Sequence, residues 1–147
     1  MKHRRNERGQ SLVEFAISLV ILLYLLSGAV EFGILFFQYV QLRDAAQEGA
    51  LYGSTAPPAS AGDTAKITAI QTRARSASSS PIDLTNDPNV TVAVTVPDNT
   101  YCEGGSLQVN VSYPHRIFMP FIPQLIGRTQ ITLNATVTDT ILTPACP

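Results

Sequence analysis

The sequence predicts an α+β protein. A long N-terminal transmembrane helix leads into a small extracytoplasmic domain of one short helix and a three- to four-stranded antiparallel sheet packed on the helix's outer half. Three observations carry that reading. Phe15 to Leu42 is an apolar run of 28 residues broken by one acid, Glu31. Three later segments alternate apolar and polar residues with a period of two. Breaks rich in Pro, Gly and Ser separate these parts.

The chain opens on a basic stub. Residues 1–9 hold Lys2, Arg4, Arg5 and Arg8 against Glu7, a net +3, whereas the rest holds six basic and ten acidic residues, a net −4. Basic residues flanking a span stay in the cytoplasm, so the N-terminus is expected inside and the bulk of the chain outside. The apolar run would extend about 42 Å as a helix, against a hydrocarbon core of roughly 30 Å. Its first half fills a bilayer and its second half projects outward. A secretory signal has a shorter apolar region of about 7–15 residues and a small-residue cleavage site after it. Here Glu31-Phe-Gly-Ile-Leu-Phe-Phe37 follows instead, so the helix reads as a retained anchor.

The helix should run on to Gly53, turning amphipathic as Gln38, Gln41, Arg43, Asp44, Gln47 and Glu48 enter the pattern. Ala45, Gly49 and Gly53 recur every fourth residue and form one small-residue face that lets another backbone approach closely. Either the domain's own sheet or a neighbouring subunit could occupy it. Ser54–Gly62, with two prolines, ends the helix. Asp63 is a good N-cap for a second helix reaching about Ser78, with Ile67, Ile70, Ala74 and Ala77 as its apolar stripe and Lys66, Arg73 and Arg75 in solvent.

Three strands follow. Val90, Val92, Val94 and Val96 form the apolar face of the first, and Leu107, Val109, Val111 and Tyr113 that of the second. Ile131, Leu133, Ala135 and Val137 do the same for the third. Such alternation means half-buried strands, whose apolar face needs a cover from the helix. The link Pro114–Gly127 is too apolar for an ordinary loop, and its three prolines oppose a regular helix. It either tucks under the sheet as a core flap or touches the membrane surface or a partner subunit. The organisation is thus a basic cytoplasmic leader at 1–9, a transmembrane and projecting helix at 10–53, and an extracytoplasmic α+β domain at 54–147.

Little in the sequence points to catalysis. His3 and His115 are the only histidines, and no H-E-x-x-H, P-loop or G-x-G-x-x-G is present. The loop acids Asp83, Asp87, Asp98 and Glu103 lack the spacing of a calcium loop. No metal, cofactor or small-molecule substrate is expected, and the mildly acidic exterior argues against nucleic acid. Three N-x-S/T triplets, at Asn89, Asn110 and Asn134, are put down to composition. Cys102 and Cys146, alone and outside the cytoplasm, are expected to form a disulfide, which on chain-entropy grounds contributes about 4 kcal/mol.

The most telling residue is Glu14, four positions beyond Gln10 and five beyond Gly9. A carboxylate in a span costs about 2.5–3.5 kcal/mol at the helix centre and less near the interface. A cut between Gly9 and Gln10 would create an α-amino group about 6 Å along the helix from Glu14. In a stack of helices, the Glu14 of one subunit pairs with the Gln10 amine of another; within one helix the same two residues make a local contact. Glu31 is a second assembly candidate, with Arg43 of a neighbour as its partner.

Arg8-Gly9-Gln-Ser-Leu-Val-Glu14-Phe-Ala resembles the processing site of type IV pilin-like proteins. Together with Gly28-Ala-Val-Glu31-Phe-Gly33 and Asp44-Ala-Ala-Gln-Glu-Gly-Ala50, it resembles the TadE/TadG family of tight-adherence (Flp) pilus systems. Gln47 and Leu51 stand where that family has arginines, the span lacks the family's usual proline, and Gln10 replaces the Phe of type IV pilins proper. The resemblance implies a pilin-like fold and a non-enzymatic minor pilin or pseudopilin. It also implies cleavage by a prepilin peptidase at Gly9 and Gln10, and assembly through Glu14. Its implied partners are the membrane, other pilin or pseudopilin subunits and the inner-membrane assembly platform. The alternatives are an uncleaved single-pass membrane protein with an extracytoplasmic binding domain, and a pseudopilin of type II secretion.

Overall fold

The computed structural model describes residues 7–120 and 122–146, so Lys2, His3, Arg4 and Arg5 of the leader lie outside the described residues. Helix α1 spans Glu7–Thr55, beginning three residues before the Gln10 start read from the sequence and ending two after Gly53. It is followed by α2 (Thr64–Arg75), β1 (Thr91–Thr95), β2 (Ser106–Arg116), α3 (Ile122–Ile126) and β3 (Gln130–Thr140). The three strands form one sheet in the order β1-β2-β3. β1 and β2 run antiparallel, with Thr91 opposite Ser112 and Thr95 opposite Gln108. The architecture is the expected α+β one.

The chain divides into two compact units. One comprises the residues up to Ile34 together with Arg116–Gln130, and the other comprises Leu35–His115 with Ile131–Pro147.

In the larger unit, burial follows the pattern that the alternation dictates. Val92 of β1, Leu107, Val109 and Val111 of β2 and Ala135 of β3 are buried, while the intervening Thr, Gln and Asn residues are more exposed. Leu42, Ala45, Ala46 and Ala50 of α1 and Ile70 and Ala74 of α2 close the same core. The small face of α1 meets this chain's own domain. A Cβ added at Gly49 would stand 3.0 Å from Ala74 Cβ and 3.3 Å from Val109 Cγ1, and one at Gly53 would stand 2.6 Å from Leu107 Cδ2. Glycine is what lets the sheet come this close.

Helix α2 starts as its cap predicts. Asp63 Oδ1 accepts the Lys66 amide at 3.2 Å, satisfying one of the orphan donors of the first turn. The helix ends at Arg75, so Ala77 falls outside it and is exposed. Arg75 departs from the solvated role given to it. Its guanidinium donates to the carbonyls of Leu84 (3.1 Å) and Val90 (2.5 Å), pinning the 76–90 segment whose Ile82 and Leu84 enter the core. Arg73 stays at the surface and pairs with Glu48 at 2.7 Å.

The tail after β3 is held at several points. Leu142 N donates to Ser54 O, Ile141 N to Gly105 O and Glu103 N to Pro144 O. Cys102 and Cys146 are joined in a disulfide with their Cα atoms 5.1 Å apart.

In the smaller unit, the β2–β3 link forms a closed loop whose neck is the Ile117 N to Thr129 O hydrogen bond at 3.1 Å. The core-flap reading fails for most of it. Ile117 is buried, but Phe118, Leu125 and Ile126 are 65 %, 75 % and 44 % exposed. The prolines do not exclude helix altogether: α3 makes one short turn with Pro123 near its start, where the missing N–H costs no helical bond.

Candidate functional site

Residues 11–26 of α1 are exposed throughout, including Leu12, Phe15, Ile17, Leu22 and Leu25. A helix of this length and apolar character is able to cross a bilayer. Such a surface is stable in lipid and costly in water, so the chain is membrane-anchored.

At the start of this surface stand the residues singled out by the sequence. Gly9 lies within α1, and beyond the helix's own turn no atom of the described residues stands within 4 Å of where a Cβ would be. Glu14 is exposed, and its Oε1 accepts from the Gln10 side-chain amide at 3.4 Å. The contact between these two residues is thus a local, side-chain one. It is long for a hydrogen bond, and a carboxylate at this depth has acceptor capacity beyond it.

Glu31 is different. It is 3 % exposed, and its carboxylate accepts the amide of Phe118 on both oxygens (3.3 and 3.2 Å) and that of Met119 on Oε2 (2.9 Å). A buried carboxylate needs such donors. This acid ties the first turn of the 117–129 loop to α1. The signal was available in the sequence, since Glu31 is the one acid of the apolar run, but the Phe118 and Met119 amides are backbone groups that carry no residue signature.

Two glutamines read as part of a wet face are buried as well. Gln38 Oε1 lies 2.5 Å from His115 Nδ1, which places the shared proton on the imidazole because an amide oxygen only accepts. Both side chains are buried. Gln41 serves the backbone of Ile82 with both ends of its amide. His115 is therefore a packed residue bonded to a helix side chain.

The loop acids are occupied with their own turns. Asp83 accepts from the Asn86 side chain and from the Thr85 and Asn86 amides, and Asp98 from the Thr100 and Ser106 amides. These bonds hold both carboxyls below their ordinary pKa. Among the described residues no three His, Cys, Asp or Glu side chains come together as a metal site. A concavity of about 240 Å³ bordered by Pro58, Ile67, Val94 and Tyr101 has no carboxylate, histidine or cysteine in its lining.

Residues 9–51 match the family described as TadE-like protein, beginning at Gly9 and ending just before the small face does. The match is a likeness of this helical segment to the family and leaves the residues after it uncovered. No curated protein and no solved structure matches the chain significantly.

Proposed function

We propose that this chain, with its TadE-like segment at residues 9–51, is a minor pilin or pseudopilin that helps to assemble a tight-adherence (Flp) type pilus. In this reading the basic leader stays in the cytoplasm and a prepilin peptidase cuts between Gly9 and Gln10. The new amine of one subunit then pairs with Glu14 of the next on the inner-membrane assembly platform. The helix stores the subunit in the membrane and later packs against other pilin subunits, while the C-terminal residues face outward. No catalysis is involved.

The observation that carries the reading is Glu14: the one carboxylate on the predominantly apolar, exposed helical surface of residues 9–26, five residues past Gly9. Its one local bond is a weak one to Gln10, and an ammonium is a far better partner in a medium of low dielectric. A second reading, an uncleaved single-pass anchor, draws on the continuity of α1 through Gly9 from Glu7.

Mass spectrometry of the mature N-terminus, on membranes and on sheared surface material, separates the two. A chain beginning at Gln10 and present in the sheared fraction supports the pilin-like reading. Glu14→Ala should then abolish its appearance there without lowering its amount in membranes. An intact Met1 start with nothing in the sheared fraction overturns it.

A further inference from the structure

The 117–129 loop is an apolar surface with an unusual fastening. Phe118, Leu125 and Ile126 are exposed on a closed loop whose first turn is held by Glu31 of α1. Helix α3, at the loop's far side, has no buried residue. Soluble domains rarely display large side chains grouped in this way without something to cover them.

Position along α1 says what the cover is. Counting from Leu12, where the exposed apolar surface begins, the hydrocarbon core of roughly 30 Å takes about 20 residues of helix. That places the outer boundary of the bilayer at Glu31, the residue that fastens the loop. The loop also reaches deeper than its fastening. A Cβ at Gly28, nearly one turn towards the N-terminus from Glu31, would stand 3.9 Å from Ile122 Cδ1 of α3. Arg116 and Arg128, at the two ends of the loop, are exposed. Apolar side chains at the acyl boundary with cations beside them form the chemical pattern of an interfacial anchor.

We propose that the 117–129 loop is a membrane-interface anchor. Phe118, Leu125 and Ile126 insert at the boundary between headgroups and acyl chains of the outer leaflet, beside the exit of α1, and Arg116 and Arg128 meet lipid phosphates. The occupant is phospholipid. The inference rests on α1 crossing a bilayer and does not depend on cleavage at Gly9. It gives the membrane-stored protein a second foothold, one that must be withdrawn when the subunit leaves the bilayer.

Environment-sensitive labels on the full chain in phosphatidylcholine–phosphatidylglycerol vesicles test it, with the native disulfide left oxidised so that only an introduced thiol reacts. Leu125→Cys is the probe position, Leu19→Cys reports the span, and Ala65→Cys on α2 reports water. The Leu125 label should emit to the blue of the Ala65 label and be quenched by lipids brominated near the carbonyl end of the chain. The Leu19 label should be quenched by deeply brominated lipids. A Leu125 label that behaves like the Ala65 one while the Leu19 label is quenched overturns the proposal and leaves the span intact. If the Leu19 label also escapes quenching, the membrane reading itself fails. Shielding of the Leu125 label that grows with protein density and is indifferent to bromine shows that a second copy of the chain covers the loop, which likewise overturns it.

Discussion

Gln41 Nε2 donates to the carbonyl oxygen of Ile82 at 2.7 Å while its Oε1 accepts the Ile82 amide at 3.0 Å. A side-chain amide on α1 thus reproduces both halves of a backbone pairing for a residue of the 76–90 segment, which crosses the core without regular structure. Both residues are buried, so neither backbone group of Ile82 has ready access to water.

Gln41→Leu keeps the volume and removes both bonds. Each orphaned backbone group costs about 1–3 kcal/mol, so the substitution should destabilise the larger unit by a few kcal/mol. Urea unfolding of the detergent-solubilised chain measures it. A loss well under about 1 kcal/mol would mean that water or a shifted segment satisfies Ile82 instead.

The fastening of the 117–129 loop can be read amide by amide. Glu31→Ala removes the acceptor of Phe118 N and Met119 N, and hydrogen exchange at these two amides should then speed up by an order of magnitude or more, the equivalent of about 1.4 kcal/mol of lost protection. Amides of α1 between residues 15 and 28 should be unaffected. Unchanged protection at 118 and 119 would mean that the loop neck at Ile117 and Thr129 alone holds this turn.

Acid should weaken the exterior at its turns. The pKa of Asp63 is lowered chiefly by the Ala59 amide, that of Asp83 by the Asn86 side chain and that of Asp98 by the Thr100 amide, in each case from an ordinary 3.8. For groups depressed in the folded state, the stabilisation is fully present above the unfolded value and is lost as pH falls through the folded one. The urea midpoint should therefore hold from neutrality to about pH 4.5 and fall below about pH 4, and Asp98→Asn should shallow that fall. Asp98 is exposed and Asp63 and Asp83 are partly so, within reach of solvent screening, so the effect is modest. A midpoint that stays level to about pH 3 would remove these turns from the stability of the fold.

How far the fold was legible depended on whether the signal was periodic. The three strands announce themselves through Val92, Leu107, Val109, Val111 and Ala135, because a period of two admits one wet and one dry face. The helix was legible from its length, and the Asp63 cap from the chemistry of N-termini. Polar residues bonded over long range were not. Gln38, Gln41 and Arg75 carry no mark in the sequence that separates a buried amide or guanidinium from a solvated one, since each gains its partner only when segments 9 to 77 residues apart meet. The apolar composition of the 114–127 link stands out in the sequence. Its exposure could not be read, because a residue's apolarity says that it leaves water and not whether protein or lipid receives it.

The small face of α1 yields the sharpest test of packing against propensity. Alanine is favoured over glycine inside a helix by about 1 kcal/mol, so Gly53→Ala would stabilise α1 if the position faced solvent or loose lipid. Here the new Cβ meets Leu107 Cδ2 at 2.6 Å and Ile70 Cδ1 at 3.1 Å, and both partners are fully buried. Overpacking of a filled core costs about 1–3 kcal/mol, which outweighs the gain in propensity. The expected result is a net destabilisation for Gly53→Ala and a larger one for Gly53→Val, whose β-branch adds volume in the same place. Gly33, with nothing within 4 Å of its own Cβ position, is the matched control: Gly33→Ala should be neutral or stabilising. Equal behaviour at the two glycines, measured by urea unfolding, would show that the sheet does not press on α1 at Gly53.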